Sequence, residues 1–161
     1  MAEPHVAPLP RTWKGWTRGE GIVIVAGVLL AIDLLVLPWH HYFVDVDTGS
    51  LGIELPTFSY DRTGVQTPNP GFGIAALVLA LGMVVQVVAA RYLRAVPNMG
   101  QIHLLAGPAV FGLLLAKVII DDEFLGTGAW LGLLLGAAMG LGGYLLSQDA
   151  PARAGAAVSP P

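Results

Sequence analysis

Residues 28–43 read VLLAIDLLVLPWHHYF. The run is apolar, carries one aspartate (Asp33) inside it, and ends abruptly at Pro38-Trp39-His40-His41. An ionised carboxylate at the centre of a membrane-inserted helix costs about 2.5–3.5 kcal/mol on insertion scales. The run therefore demands a compensating group somewhere else in the chain.

The whole composition points the same way. Of 161 residues, 55% are hydrophobic and only 12% are charged, and the mean hydropathy is +0.68. Soluble domains carry about twice that share of charge. The apolar residues fall in four blocks, Gly21–Leu37, Phe72–Ala90, Ile102–Ile120 and Ala129–Leu146. A 19-residue helix rises roughly 28 Å, close to the ~30 Å hydrocarbon core of a bilayer. The blocks lack the polar faces that buried helices of a soluble bundle turn to water. They place spans at about 21–39, 72–90, 102–120 and 129–146. The first is a retained anchor rather than a cleaved leader, because Pro-Trp-His-His stands where small residues for cleavage belong. The expected fold is an all-α membrane protein, an antiparallel four-helix transmembrane bundle with a small extracytoplasmic loop cap.

Charge sets the orientation. Arg11, Lys14, Arg18, Arg91, Arg94 and Arg153, six of the eight basic residues, fall on one side, which the positive-inside rule assigns to the cytoplasm. Asp45, Asp47, Glu54, Asp61, Asp121, Asp122 and Glu123 fall on the other. Aromatic anchors agree, with Trp13 and Trp16 at the inner interface and Trp39 and Trp130 at the outer one. Both termini are expected in the cytoplasm of a multi-pass protein of the cell (plasma) membrane. The first twenty residues form an inner tail, and 149–161 read as a disordered one. In the outer loop, 40–71, the alternating segments Tyr42–Asp47 and Leu51–Leu55 flank Thr48-Gly49-Ser50 and predict a β-hairpin. Short connections at 91–101 and 121–128 predict neighbouring, up-down helices.

Two features inside the spans carry interaction. Gly128, Gly132, Gly136 and Gly140 recur every fourth residue on one helix face, the spacing that lets backbones approach closely in lipid. That face serves packing inside the bundle, or a seam to a second copy or a larger membrane complex. Lys117 is the natural partner for Asp33: both lie about one turn beneath the outer surface, on spans running in the same direction. Three readings stay open, a structural Asp33–Lys117 pair, a Lys117 that snorkels towards Asp121 or Asp122, and an ion or proton site. Gln86, His103 and Pro108 are the other notable groups within the spans.

Several chemistries are excluded or thinly supported. The chain has no cysteine, so disulfides, thiolate metal sites and cysteine nucleophiles are ruled out. A net charge of −3 without a basic patch gives no nucleic-acid partner. His40 and His41, with Asp121 and Asp122 and also Asp45, Asp47 and Glu123, are the candidates for a divalent cation, at no recognised metal spacing. No catalytic triad, phosphate loop or carboxylate pair can be assembled, and no cofactor is implied.

The ending Leu37-Pro38-Trp39, the outer loop of about thirty residues and the closing Gly142-Gly143-Tyr144-Leu-Leu-Ser-Gln-Asp149 resemble small, uncharacterised four-span integral membrane proteins of actinobacteria and other high-GC bacteria. The resemblance covers roughly residues 15–150, with His40 where that group tends to have an aromatic. It implies the topology and no activity. The expected function is a non-enzymatic accessory or scaffolding subunit acting by helix–helix and outer-loop contacts. The alternative is a small transporter or ion- or proton-conducting protein using Asp33 and Lys117.

Overall fold

The computed structural model describes residues 11–12, 15–44, 58–66, 68–92 and 99–158. In chain order the elements are β1 (Arg11–Thr12), β2 (Trp16–Thr17), α1 (Arg18–Val36), β3 (Pro38–Val44), β4 (Phe58–Thr63), α2 (Pro70–Ala89), α3 (Met99–Ile120) and α4 (Thr127–Val158). All four helices are long and apolar enough to cross a membrane.

Local chemistry fixes the helix ends. Thr17 and Glu20 form a capping box at the start of α1, with Glu20 Oε2 accepting from Thr17 N at 2.7 Å and the Thr17 hydroxyl accepting from Glu20 N at 3.3 Å. Two orphan amides are satisfied at once. At the other end Pro38 disfavours helical backbone in the residue before it, and Leu37 is extended (φ −79°, ψ 148°). The helix thus stops at Val36, and Trp39 belongs to a strand rather than to a first span reaching 39. Pro70 opens α2 from within its first turn, where its missing N–H costs nothing. The last helix does not stop near 146. It continues to Val158, so residues 150–158 are helical rather than a structureless tail, in keeping with their richness in alanine, the best helix former.

The helices close a ring in chain order. Contacts join α1 to α2, α2 to α3, α3 to α4 and α4 to α1, which leaves α1 and α3 on a diagonal. We call the end carrying β3 and β4 the cap end and the end carrying Trp16 the base end. At the base end the Arg91 guanidinium lies 4.1 Å over the Trp16 ring, joining the end of α2 to the start of α1. At the cap end β3 and β4 pair antiparallel, with Tyr42 opposite Tyr60 and Val44 opposite Phe58. The partner of residues 42–44 is therefore 58–60 and not 51–55. The turn and second strand of the expected hairpin lie outside the described residues.

Buried positions on α3 step by three and four: Gly100, His103, Gly107, Val110, Leu114 and Lys117. Facing positions on α1 and α2 include Val23, Leu30 and Leu34, and Ala76, Ala80 and Met83. The outward faces are equally apolar. Val36, Val78, Ile119 and Leu134, drawn from all four helices, are each more than three-fifths exposed.

Small residues decide how close the helices come. A Cβ on Gly107 would lie 2.7 Å from the Met139 carbonyl oxygen and 2.9 Å from Gly140 Cα. One on Gly143 would run into the His103 carbonyl. Gly136 faces Leu114 and Phe111, while Gly140 has its nearest neighbour 3.8 Å away, at Pro108 N. The α3–α4 contact thus rests on Gly107 and Gly143, and Gly140 has room to spare. We expect Gly143→Ala to lower stability by about 1–3 kcal/mol, the range for an overpacked contact. Gly140→Ala should leave it unchanged or raise it by up to about 1 kcal/mol through helix propensity. Reversible unfolding in mixed detergent measures both; equal losses would refute this division of the glycines.

Candidate functional site

The buried polar residues gather at the cap end around Trp39. Because Pro38 turns the chain out of α1, Trp39 swings back under the helix ends and is fully buried. Its indole occupies a slot built by residues distant in sequence. A Cβ on Gly128 would stand 2.7 Å from Trp39 Cδ1, one on Gly64 2.9 Å from Cε2, and one on Gly132 would overlap the ring. Two of the four glycines expected to carry helix–helix contact instead make room for this side chain. Trp39 is thus a core residue and not an interfacial anchor. Trp130 is 62% exposed, Trp16 is half-buried under Arg91, and Trp13 lies outside the described residues.

Asp33 finds its partner here. Trp39 Nε1 donates to Asp33 Oδ2 at 3.1 Å, and the same oxygen packs against Gly132, where a Cβ would approach to 2.8 Å. Asp33 Oδ1 has no hydrogen-bond partner among the described residues.

Lys117 bonds elsewhere. Its ammonium donates to the Pro68 carbonyl, to the Asn69 carbonyl at 3.5 Å and to Asp121 Oδ2 at 3.4 Å. Three acceptors match the three N–H donors of a lysine. Asp33 and Lys117 form no ion pair among the described residues, since equal depth is not enough when α1 and α3 face each other across the ring. Of the snorkelling reading the reach to Asp121 holds, but the ammonium does not arrive in solvent, because Lys117 is fully buried.

Asp121 is the hub of this network. Its Oδ2 meets Lys117, its Oδ1 accepts from Asn69 Nδ2 at 2.6 Å, and its backbone oxygen lies 3.2 Å from His40 Nε2. Asn69 adopts the left-handed conformation (φ 46°) that asparagine tolerates, presenting its own carbonyl to Lys117. Asp121 and Lys117 thus fasten the approach to α2 to the end of α3 through their charged groups, and β3 joins through the Asp121 backbone carbonyl. Sequence reading missed Asn69 and Gly64, and backbone acceptors such as Pro68 leave no signal in a sequence. The Lys117–Asp121 spacing of four was visible, because such pairs face each other on a helix.

The two histidines diverge. His40 is buried, with Nε2 facing the Asp121 carbonyl and Nδ1 without a partner among the described residues. Burial pushes its imidazole below the ordinary range. The Asp121 carbonyl opposes that, the Lys117 charge adds to it, and the Asp121 carboxylate opposes it. A carbonyl oxygen only accepts, so it is Nε2–H that donates to Asp121. His41 Nδ1 instead meets Asp61 Oδ1 at 2.7 Å on the exposed side of the sheet, and Asp122 is exposed. No three potential metal ligands converge among the described residues. Far from this cluster, His103 is buried on α3 with its ring nitrogens 2.9 Å from the Met99 carbonyl and 3.3 Å from the Met83 carbonyl, a link from α3 to α2.

Two measurements probe the cluster. Asp121→Ala strands a buried ammonium and should cost about 3–5 kcal/mol, whereas Lys117→Met with Asp121→Ala should cost less than Asp121→Ala alone. Additive losses in an unfolding cycle would contradict the pairing. For His40, a folded-state value below the ordinary ~6.5 means that the unfolded chain takes up the proton first. Stability is then flat above about pH 6.5 and falls as pH drops below it. His40→Gln should shrink that slope in thermal melts between pH 7.5 and 5.5.

No protein-family model matches the chain, and neither a curated protein nor a solved structure matches it.

Proposed function

We propose that this chain is a multi-pass protein of the cell membrane, with its base end and both termini in the cytoplasm. It works by contact, as an accessory or scaffolding subunit, rather than by catalysis. One observation carries the reading. Apolar side chains face outward on all four helices, while the buried Lys117 and His103 spend their hydrogen bonds on the chain itself and Asp33 is tied to Trp39. In water such outward faces would be one large apolar patch, far beyond what soluble monomers expose. In lipid they are the normal condition of a bundle.

Charge supports the orientation. Arg11, Arg18 and Arg91 lie at the base end against Arg62 and the buried Lys117 at the cap end, and with Lys14, Arg94 and Arg153 of the flanking sequence this bias reads by the positive-inside rule as a cytoplasmic base. Contact with a partner would use surfaces the chain leaves uncovered. On α4 that is the face of Trp130, Leu134 and Leu141, since its glycines are taken up by α1, α3 and Trp39. The transport alternative rested on an Asp33–Lys117 pair, and those residues are engaged separately.

Membrane fractions should retain the protein through alkaline carbonate washing and release it only to detergent. Tags at the two termini should both be protected from protease in intact cells stripped of their wall. Release by carbonate, or a tag cleaved from outside, would refute the reading. A partner co-purifying in mild detergent and lost in Leu134→Arg would support the scaffolding role. A proton or solute flux in proteoliposomes that responds to Asp33→Asn would favour the alternative.

A further inference from the structure

The cap end carries a second apolar surface, apart from the helix walls. Phe43 is 62% and Phe124 53% exposed, and with Leu125 and His41 they line one shallow concavity. Phe124 is held there against its own backbone preference. Its φ is +55°, a region that bulky residues avoid. Three backbone ties fix it: His41 N donates to Phe124 O at 2.9 Å, Leu125 bridges to His40, and Gly126 N donates to Trp39 O at 2.7 Å.

Height decides what meets this surface. Phe124 sits in the connector 121–126 between Ile120 and Thr127, too short to rise far above the helix ends. The ties to His41 hold Phe43 at the same level, so β3 lies along the top of the bundle. The headgroup layer extends about 5–7 Å beyond the hydrocarbon on each side. The last residues of α1 and α3 just beneath it, Val36, Ile119 and Ile120, are exposed and apolar.

We propose that the β3–β4 layer is seated in the lipid headgroup layer, with Phe43 and Phe124 as its anchors beside the exposed Trp130 in the first turn of α4, in the role that the buried Trp39 leaves open. The partner is a lipid surface of net-neutral headgroups, because the exposed acids Asp61, Asp122 and Glu123 border the patch and repel anionic ones. The inference rests on the membrane reading and goes beyond it, since a spanning bundle can equally hold its cap clear in water.

The natural absence of cysteine makes single-site nitroxide labelling direct. In phosphatidylcholine vesicles, labels at Leu134→Cys and Val78→Cys should collide severalfold more with dissolved oxygen than with a water-soluble nickel chelate. Labels at Phe43→Cys and Phe124→Cys should show nickel collision reduced severalfold from that of free nitroxide in buffer. Ser59→Cys, opposite Phe43 in the sheet, leaves both phenylalanines in place and should report the same depth. Aqueous nickel collision at 43, 59 and 124 with lipid-like values at 78 and 134 would overturn the seated cap alone. Aqueous values at 78 and 134 would overturn the membrane reading and the cap with it.

Discussion

A helix that is apolar on every side gains little from hydrophobicity by choosing which face to bury, and all four helices here are of that kind. Selection among faces must then come from two other sources: how closely backbones can approach, and where the few polar groups can be satisfied. Both are visible. Gly107 and Gly143 let α3 meet α4 at a distance no larger residue permits. His103 ties α3 to α2, Lys117 ties α3 to the approach of α2, and the Asp33–Trp39 bond folds the start of the cap back under the helix ends. Remove these and the ring has little reason to prefer one rotation of a helix over another.

The cap end shows how one proline organises distant residues. Pro38 stops α1, the stop turns Trp39 inward, and the indole then requires glycine at 64, 128 and 132. With the indole in place, Asp33 has a donor. Asp121 serves the neighbouring side in the same manner, receiving Lys117 and Asn69 on its carboxylate and His40 on its carbonyl. His40 and Lys117 are both buried within reach of Asp121, so a positive charge on the histidine would compete with the lysine already there.

Much of this was legible beforehand, for physical reasons that also explain the remainder. Four apolar blocks announce four helices because composition alone measures fitness for lipid. The Thr17–Glu20 box and Pro38 mark helix ends because capping is local. Asp33 and Lys117 were matched by depth, which is one coordinate of two; the angular position of each helix around the ring is set by packing and left no mark in the sequence. The glycine stripe on α4 reads in the sequence as a single helix-packing face, turned to its own bundle or to a second copy. It is divided among Trp39, α3 and slack space because a residue from a neighbouring strand intrudes on it. Trp39 itself was assigned to the interface, the usual place for a tryptophan at the end of a span, and its inward turn depends on a glycine slot assembled from two other segments.

The polar ties also bear on how the chain is made. Asp33 takes its hydrogen bond from a residue only six positions later, so on the proposed membrane reading the first helix brings the donor for its own carboxylate with it. His103 bonds to Met99 and Met83, and Lys117 to Pro68, Asn69 and Asp121, all already synthesised or within one turn. Among the described residues, neither Asp33 nor Lys117 takes a hydrogen-bond partner from a distant, later segment. If the chain is threaded into a bilayer as proposed, each helix can enter with donors or acceptors for its charged group already at hand, and the Trp39 slot is completed last, when Gly128 and Gly132 of α4 arrive.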